Sequence, residues 1–97
     1  MLIFGGQLNI TTSSGTGSEN TVYLRGICYH IIAKPTTETT EYDIKITNPA
    51  GAVIYEREGE IGTLTEFVTI PMLGKYTITI ANSTADEAFI IQTLCQE

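Results

Sequence analysis

Tryptophan is absent from this 97-residue chain, histidine occurs once, and cysteine only twice. Lys and Arg number five against eleven Asp and Glu, and charged residues make up 16% where an average soluble domain has about 25%. Each shortage excludes something. A nucleic-acid binder needs a basic face to displace counterions, and a net charge of −6 argues against one. The single histidine, His30, stands mid-strand, and the serines Ser13, Ser14, Ser18 and Ser83 lie in loops without a surrounding motif, so no hydrolytic triad is expected. No apolar run approaches the ~18 residues of a membrane span, and no membrane partner is expected. The start, Met1-Leu2-Ile3-Phe4-Gly5-Gly6, lacks the basic beginning and the apolar stretch of about 7–15 residues that mark a secretory signal. Synthesis and folding in a cytoplasm follow as the expectation, with Cys28 and Cys95 as buried thiols. A disulfide between them requires their strands to be neighbours.

What the chain does have is Thr, Ile and Tyr in short runs between turn residues. In Glu41–Asn48, Tyr42, Ile44 and Ile46 point one way and Asp43, Lys45 and Thr47 the other. Asn48-Pro49-Ala50-Gly51 supplies the fixed φ and the positive φ of a turn, and Val53-Ile54-Tyr55 leads back, so the pair reads as a β-hairpin. Gly59–Gly62 reads as a second turn. Thr63–Pro71 reads as a strand ending at its proline, and Met72-Leu73-Gly74 as a turn. Tyr76, Ile78 and Ile80 repeat the alternation, and Glu87–Cys95 forms the last strand. Thr21–Lys34 is apolar on both parities, as in a central strand or one that ends in an interface, with Gly26 marking a bulge. Turn signals every 8–12 residues or so and about seven antiparallel strands predict an all-β fold, a single β-sandwich of immunoglobulin-like or jelly-roll-like form.

The expected organisation is two-part. Residues 21–97 form the sandwich. Residues 1–20 comprise a first strand, or an arm exchanged with another molecule, followed by a Ser/Thr/Gly segment, 11–20, that reads as a flexible connection because it has no large side chain to bury. If residues 1–10 are an arm, their loss weakens assembly more than folding.

No constellation points to chemistry. Cys28 and His30, two apart on a strand, share a face by strict alternation, and with Cys95 make three soft ligands where a structural zinc site wants four. The alternating Glu56, Glu58 and Glu60 read as a solvated face, and neither they nor Asp86-Glu87 resemble a calcium loop. Gly15 and Gly17 lack the lysine and helix of a phosphate loop. Tyr42, Tyr55 and Tyr76 belong to inward-looking series, which makes core positions of them rather than a sugar-stacking platform. Catalytic, cofactor and metal residues are therefore all assigned as none, and the chain is read as a non-enzyme. Thr-rich outer faces suit burial against another protein. Leu2, Ile3 and Phe4, costly to expose, and Tyr23 and Tyr29, on the second apolar parity, are the expected interface residues.

The stretches Tyr42-Asp43-Ile44-Lys45-Ile46-Thr47-Asn48-Pro49-Ala50-Gly51, Ile54-Tyr55-Glu56-Arg57 and Gly74-Lys75-Tyr76-Thr77-Ile78-Thr79-Ile80-Ala81-Asn82 resemble the small β-sandwich decoration, or cement, proteins of tailed-phage capsids. The resemblance covers residues 21–95. It implies a non-enzymatic virion protein on the capsid surface, a trimer or other homo-oligomer, whose partner is the major capsid protein or another virion protein and whose synthesis takes place in a bacterial cytoplasm. The alternative is a ligand-binding or adhesion sandwich, associated with a tail or fibre, that recognises a glycan through exposed tyrosines.

Overall fold

The computed structural model describes residues 3–96, with side chains described from residue 6 onward. Eight strands are found among them: β1 (Ile3–Thr11), β2 (Gly17–Asn20), β3 (Leu24–Pro35), β4 (Glu41–Thr47), β5 (Val53–Ile61), β6 (Leu64–Gly74), β7 (Thr77–Ala81) and β8 (Ala88–Gln96). They form two four-stranded antiparallel sheets. Sheet A has the order β1-β8-β3-β6 and sheet B the order β2-β7-β4-β5. This is the expected all-β sandwich, with one strand more than the sequence predicts.

The core lies where the alternation places it. Tyr42, Ile44 and Ile46 of β4 and Ile78 and Ile80 of β7 line the inner side of sheet B; Leu24, Ile31, Phe89 and Ile91 face them from sheet A. All of these are buried. The rings of Tyr42 and Phe89 meet edge to face with centroids 5.0 Å apart, a favourable arrangement of their quadrupoles. The Tyr42 hydroxyl donates to the Gly62 carbonyl at 2.8 Å, so its polar tip is satisfied inside the core. Burial, with Glu60 and Glu38 nearby, pushes that hydroxyl up to about 12, and it stays protonated and a donor. Tyr55 and Tyr76 are also buried, in agreement with the core reading of all three.

The hairpin of β4 and β5 turns where Asn48 and Gly51 require it. The Asn48 side-chain oxygen accepts from the Ala50 and Ala52 amides at 3.0 and 2.8 Å, and Gly51 has a φ of 90°. Three other boundaries differ from expectation. Gly59, read as a turn residue, lies inside β5. There the register shifts opposite Asp43, and the positive φ of Gly59 accommodates the extra residue. Strand β6 runs through Pro71 to Gly74. It is an edge strand, the position in a sheet where a proline is tolerated. The bulge of β3 falls not at Gly26 but across Tyr29, where the register shifts against both β6 and β8.

Residues 3–11 are the first strand of the sandwich. β1 pairs with β8 from Ile3↔Gln96 to Thr11↔Ala88, and Ile10 is buried in the core. The Ser/Thr/Gly segment, expected to be a flexible connection, holds a turn and the strand β2. Ser13 and Thr16 bond through their backbones in both directions. The Asp86 carboxylate accepts from the Gly15 amide at 2.9 Å and the Ser14 amide at 3.1 Å. Local composition supplied no large side chain there, but a carboxylate seventy residues away in sequence closes the turn. At the crossing from sheet A to sheet B, a Cβ on Gly17 would lie 2.6 Å from the Thr11 carbonyl oxygen, so only glycine fits.

Two predictions follow from these bonds. Deleting residues 1–11 removes Ile10 from the core and bares the ladder edge of β8. The truncated chain should lose its cooperative thermal transition, followed by circular dichroism, and not merely its capacity to assemble. Asp43 accepts from the Asn82 side-chain amide at 2.7 Å and from the Gly59 amide at 2.9 Å, and these bonds, in that order, hold its carboxyl below the usual range. A depressed native pKa stabilises the fold above the unfolded-state value and loses that contribution as pH falls through the native one. Asp43→Asn should therefore lower the urea midpoint at pH 6, and the gap from the parent protein should close as the pH falls through the native pKa of Asp43.

Candidate functional site: the outer face of sheet A

The outward side chains of sheet A follow from the register. On β6, Thr65, Phe67, Thr69, Pro71 and Leu73 are exposed while Leu64 and Met72 are buried. On β3, Ile27 and Lys34 are exposed, and on β8, Ile90. Phe67 is 79% exposed, Leu73 67%, and Ile27 and Ile90 40% each. An exposed phenylalanine on a strand is costly, and here it has three large apolar companions on one face. The His30 ring stacks on Phe67 with centroids 4.4 Å apart and planes 18° from parallel. At one end, Lys34, Pro35, Thr36, Ala88 and Ile90 line an open apolar notch of about 250 Å³.

The charge is segregated. Among the described residues of sheet A the only carboxylate belongs to Glu66. It does not join the exposed face: its Oε2 accepts from Arg57 Nη2 of β5 at 2.7 Å and from Nε at 3.1 Å, bridging the two sheets at their open edge. The Tyr55 hydroxyl and then Arg57 hold Glu66 below the usual carboxylate range. The strands of sheet B carry Glu19, Glu41, Asp43, Glu56, Glu58 and Glu60. Its outer surface has a polar depression of about 250 Å³ lined by Asp43, Lys45, Glu56, Glu58, Thr79 and Asn82 among others. The carboxylates are thus gathered on sheet B, whose strand β5 also exposes Val53 and Ile61, while sheet A exposes Phe67, Leu73, Ile27 and Ile90 together with the cations Arg25 and Lys34.

Of the expected interface residues, Tyr23 is 57% exposed in the connection before β3, and Tyr29 is half-buried at the bulge. Leu2 lies outside the described residues, as do the side chains of Ile3 and Phe4, whose backbones pair with Gln96 and Cys95. Phe67, the most exposed large apolar side chain among the described residues, is not among the expected interface residues. A signal was present: Phe67 shares its parity with Thr65 and Thr69, against Leu64, Val68 and Ile70.

The proposed sharing of a face by Cys28 and His30 is corrected. The bulge at Tyr29 breaks the alternation, so Cys28 is buried inside and His30 stands outside on Phe67. The trio with Cys95 is therefore split across the sheet. Among the described residues no three His, Cys, Asp or Glu side chains are placed to hold a metal ion. His30, on sheet A, is also remote in the fold from Ser13, Ser14, Ser18 and Ser83, which lie on or beside sheet B. No helix is long and apolar enough to cross a membrane among the described residues.

No protein-family model matches the sequence, and no curated protein does. Solved structures of similar shape include a carbohydrate-binding module CBM36 in complex with calcium and xylotriose, 10% identical with a TM-score of 0.37 over 94% of this chain and 85% of that one. Another is TmCBM61 in complex with beta-1,4-galactotriose, 11% identical with a TM-score of 0.40 over 94% and 70%. A third is the infectious bursal disease virus Gx strain structure, 8% identical with a TM-score of 0.32 over 96% of this chain and 30% of that one.

Proposed function

We propose that this chain is a non-enzymatic structural protein of a virion, a capsid-decoration β-sandwich that docks on an assembled protein shell through the outer face of sheet A. The observation that carries the reading is an outer face of sheet A that exposes large apolar side chains and, among the described residues, no carboxylate. Phe67, Leu73, Ile27 and Ile90 offer a contact with no carboxylate to desolvate. The acidic sheet would then face solvent, away from packaged nucleic acid and from neighbouring particles. The sequence resemblance over residues 21–95 supports the shell as the partner. Binding only the assembled shell stabilises it by mass action, about 2.7 kcal/mol per site at a hundredfold excess over Kd, and self-association of the decoration protein adds to this through effective concentration.

A second reading has its own observation. The depression on sheet B, with Asp43, Lys45, Glu56, Glu58, Thr79 and Asn82, offers the hydrogen-bonding groups a glycan requires. It differs from a tyrosine platform, since Tyr42, Tyr55 and Tyr76 are in the core.

The test uses undecorated shells from the particle in which the protein occurs. Co-sedimentation and a raised shell melting temperature are expected. Phe67→Ala with Leu73→Ala should weaken co-sedimentation tenfold or more (roughly 1.4 kcal/mol or above) and leave the protein's own melting temperature within a few degrees. Absence of both co-sedimentation and shell stabilisation by the parent protein would sink the decoration role. A glycan-array signal lost on Lys45→Ala with Glu58→Ala, and kept in the Phe67/Leu73 variant, would move the function to sheet B.

A further inference from the structure

Cys28 and Cys95 are direct cross-strand partners on β3 and β8. Both are fully buried on the inner side of sheet A and both are free thiols. Directly opposed residues of an antiparallel pair have Cα atoms about 4.5–5.5 Å apart, within the roughly 4.4–6.8 Å that a disulfide bridges. Their side chains also point the same way out of the pleat, the second requirement. A condition left open by the sequence, that the two strands be neighbours, is therefore met at the residue level.

We propose that Cys28 and Cys95 are a preformed disulfide pair, which closes into a cross-strand bridge when the chain folds under oxidising conditions and stays as two inert core thiols when it folds under reducing ones. The bridge would join the two central strands of sheet A and pin the C-terminal strand, in which Cys95 is the penultimate residue. The loop it closes runs through most of the chain, so its constraint on the unfolded state is large. A domain this small gains much from one such staple.

The chemistry balances with a low-molecular-weight disulfide as oxidant. One cysteine thiolate attacks a sulfur of glutathione disulfide, forming a mixed disulfide and expelling one glutathione thiolate. The second cysteine sulfur, deprotonated, displaces the other glutathione thiolate. Two S–H bonds are lost and one S–S bond forms, while the oxidant takes up two electrons and two protons and leaves as two thiols. Burial first, and Cys95 second, push the Cys28 thiol up to about 12, so the closed native structure presents almost no thiolate. Reaction then occurs during folding, or through fraying at the end of β8.

The experiment refolds the full chain from guanidinium with a mixture of reduced and oxidised glutathione, and in parallel with a phosphine reductant. Expected from the oxidised arm are a mass lower by about 2 Da, no thiol titratable by Ellman's reagent in denaturant, a peptide map joining Cys28 to Cys95, and a monomer on a non-reducing gel. The melting temperature should exceed that of the reduced arm by about 10 °C or more. The folded reduced protein should oxidise slowly in the same buffer, and faster as sub-denaturing urea is added. Two free thiols in a natively folded oxidised product would overturn the proposal, as would glutathione adducts or intermolecular dimers in place of the internal bridge. An oxidised form no more stable than the reduced one would show that the native geometry does not suit the bond, with the same consequence. The outcome is independent of whether sheet A docks on a shell.

Discussion

Most of what is specific about this molecule depends on the in–out alternation of β3 and on the one place where it is reset. β3 is held by β8 on one side and β6 on the other, so its pleat decides what both neighbours can place on each face. Up to Cys28 the even positions point inward. Across Tyr29 the register shifts, and Ile31 and Ala33 take over the inner face. A single extra residue thereby sends Cys28 to the core, opposite Cys95, and His30 to the surface, against Phe67.

That reset separates two properties that strict alternation would have merged. Inside, a pair of thiols lies among apolar side chains, unreactive while the sheet is closed. Outside, an imidazole supports an exposed phenylalanine within a face that bears isoleucines, Leu73 and Pro71. The outer face of sheet A owes its character as much to what it lacks as to what it carries. The sheet's one described carboxylate, Glu66, stands on the inward parity of β6, opposite Ile31, and pairs with Arg57. Such an ion pair at the surface adds little stability by itself, but it joins the two sheets at an edge that has no ladder across it.

The polar loops show a related division of labour. Asp86 binds the turn at Ser14 and Gly15, and the Glu87 carboxylate accepts from the Thr37 amide at 2.7 Å and the Thr40 hydroxyl at 3.1 Å. Two adjacent acids thus order two connections, one before β2 and one between β3 and β4. Asp43, Asp86 and Glu87 each act as acceptors for backbone amides, with side-chain donors added at Asp43 and Glu87.

The fold class, the Asn48–Gly51 hairpin and the inward sets of β4 and β7 were legible in the residues alone. Period-two alternation and turn chemistry are local properties, written within a few neighbouring positions. The parity of Phe67 was legible too, though the sequence reading gave it no role. Other features were decided only when the strands came together: the site of the β3 bulge, the run of β6 past Pro71, the ordering of residues 11–20, and the meeting of Cys28 with Cys95. Each depends on a partner far away in sequence, because strand pairing, edge position and long-range hydrogen bonds are set by the closure of two sheets on one core. A chain can specify that closure without displaying it in any one stretch.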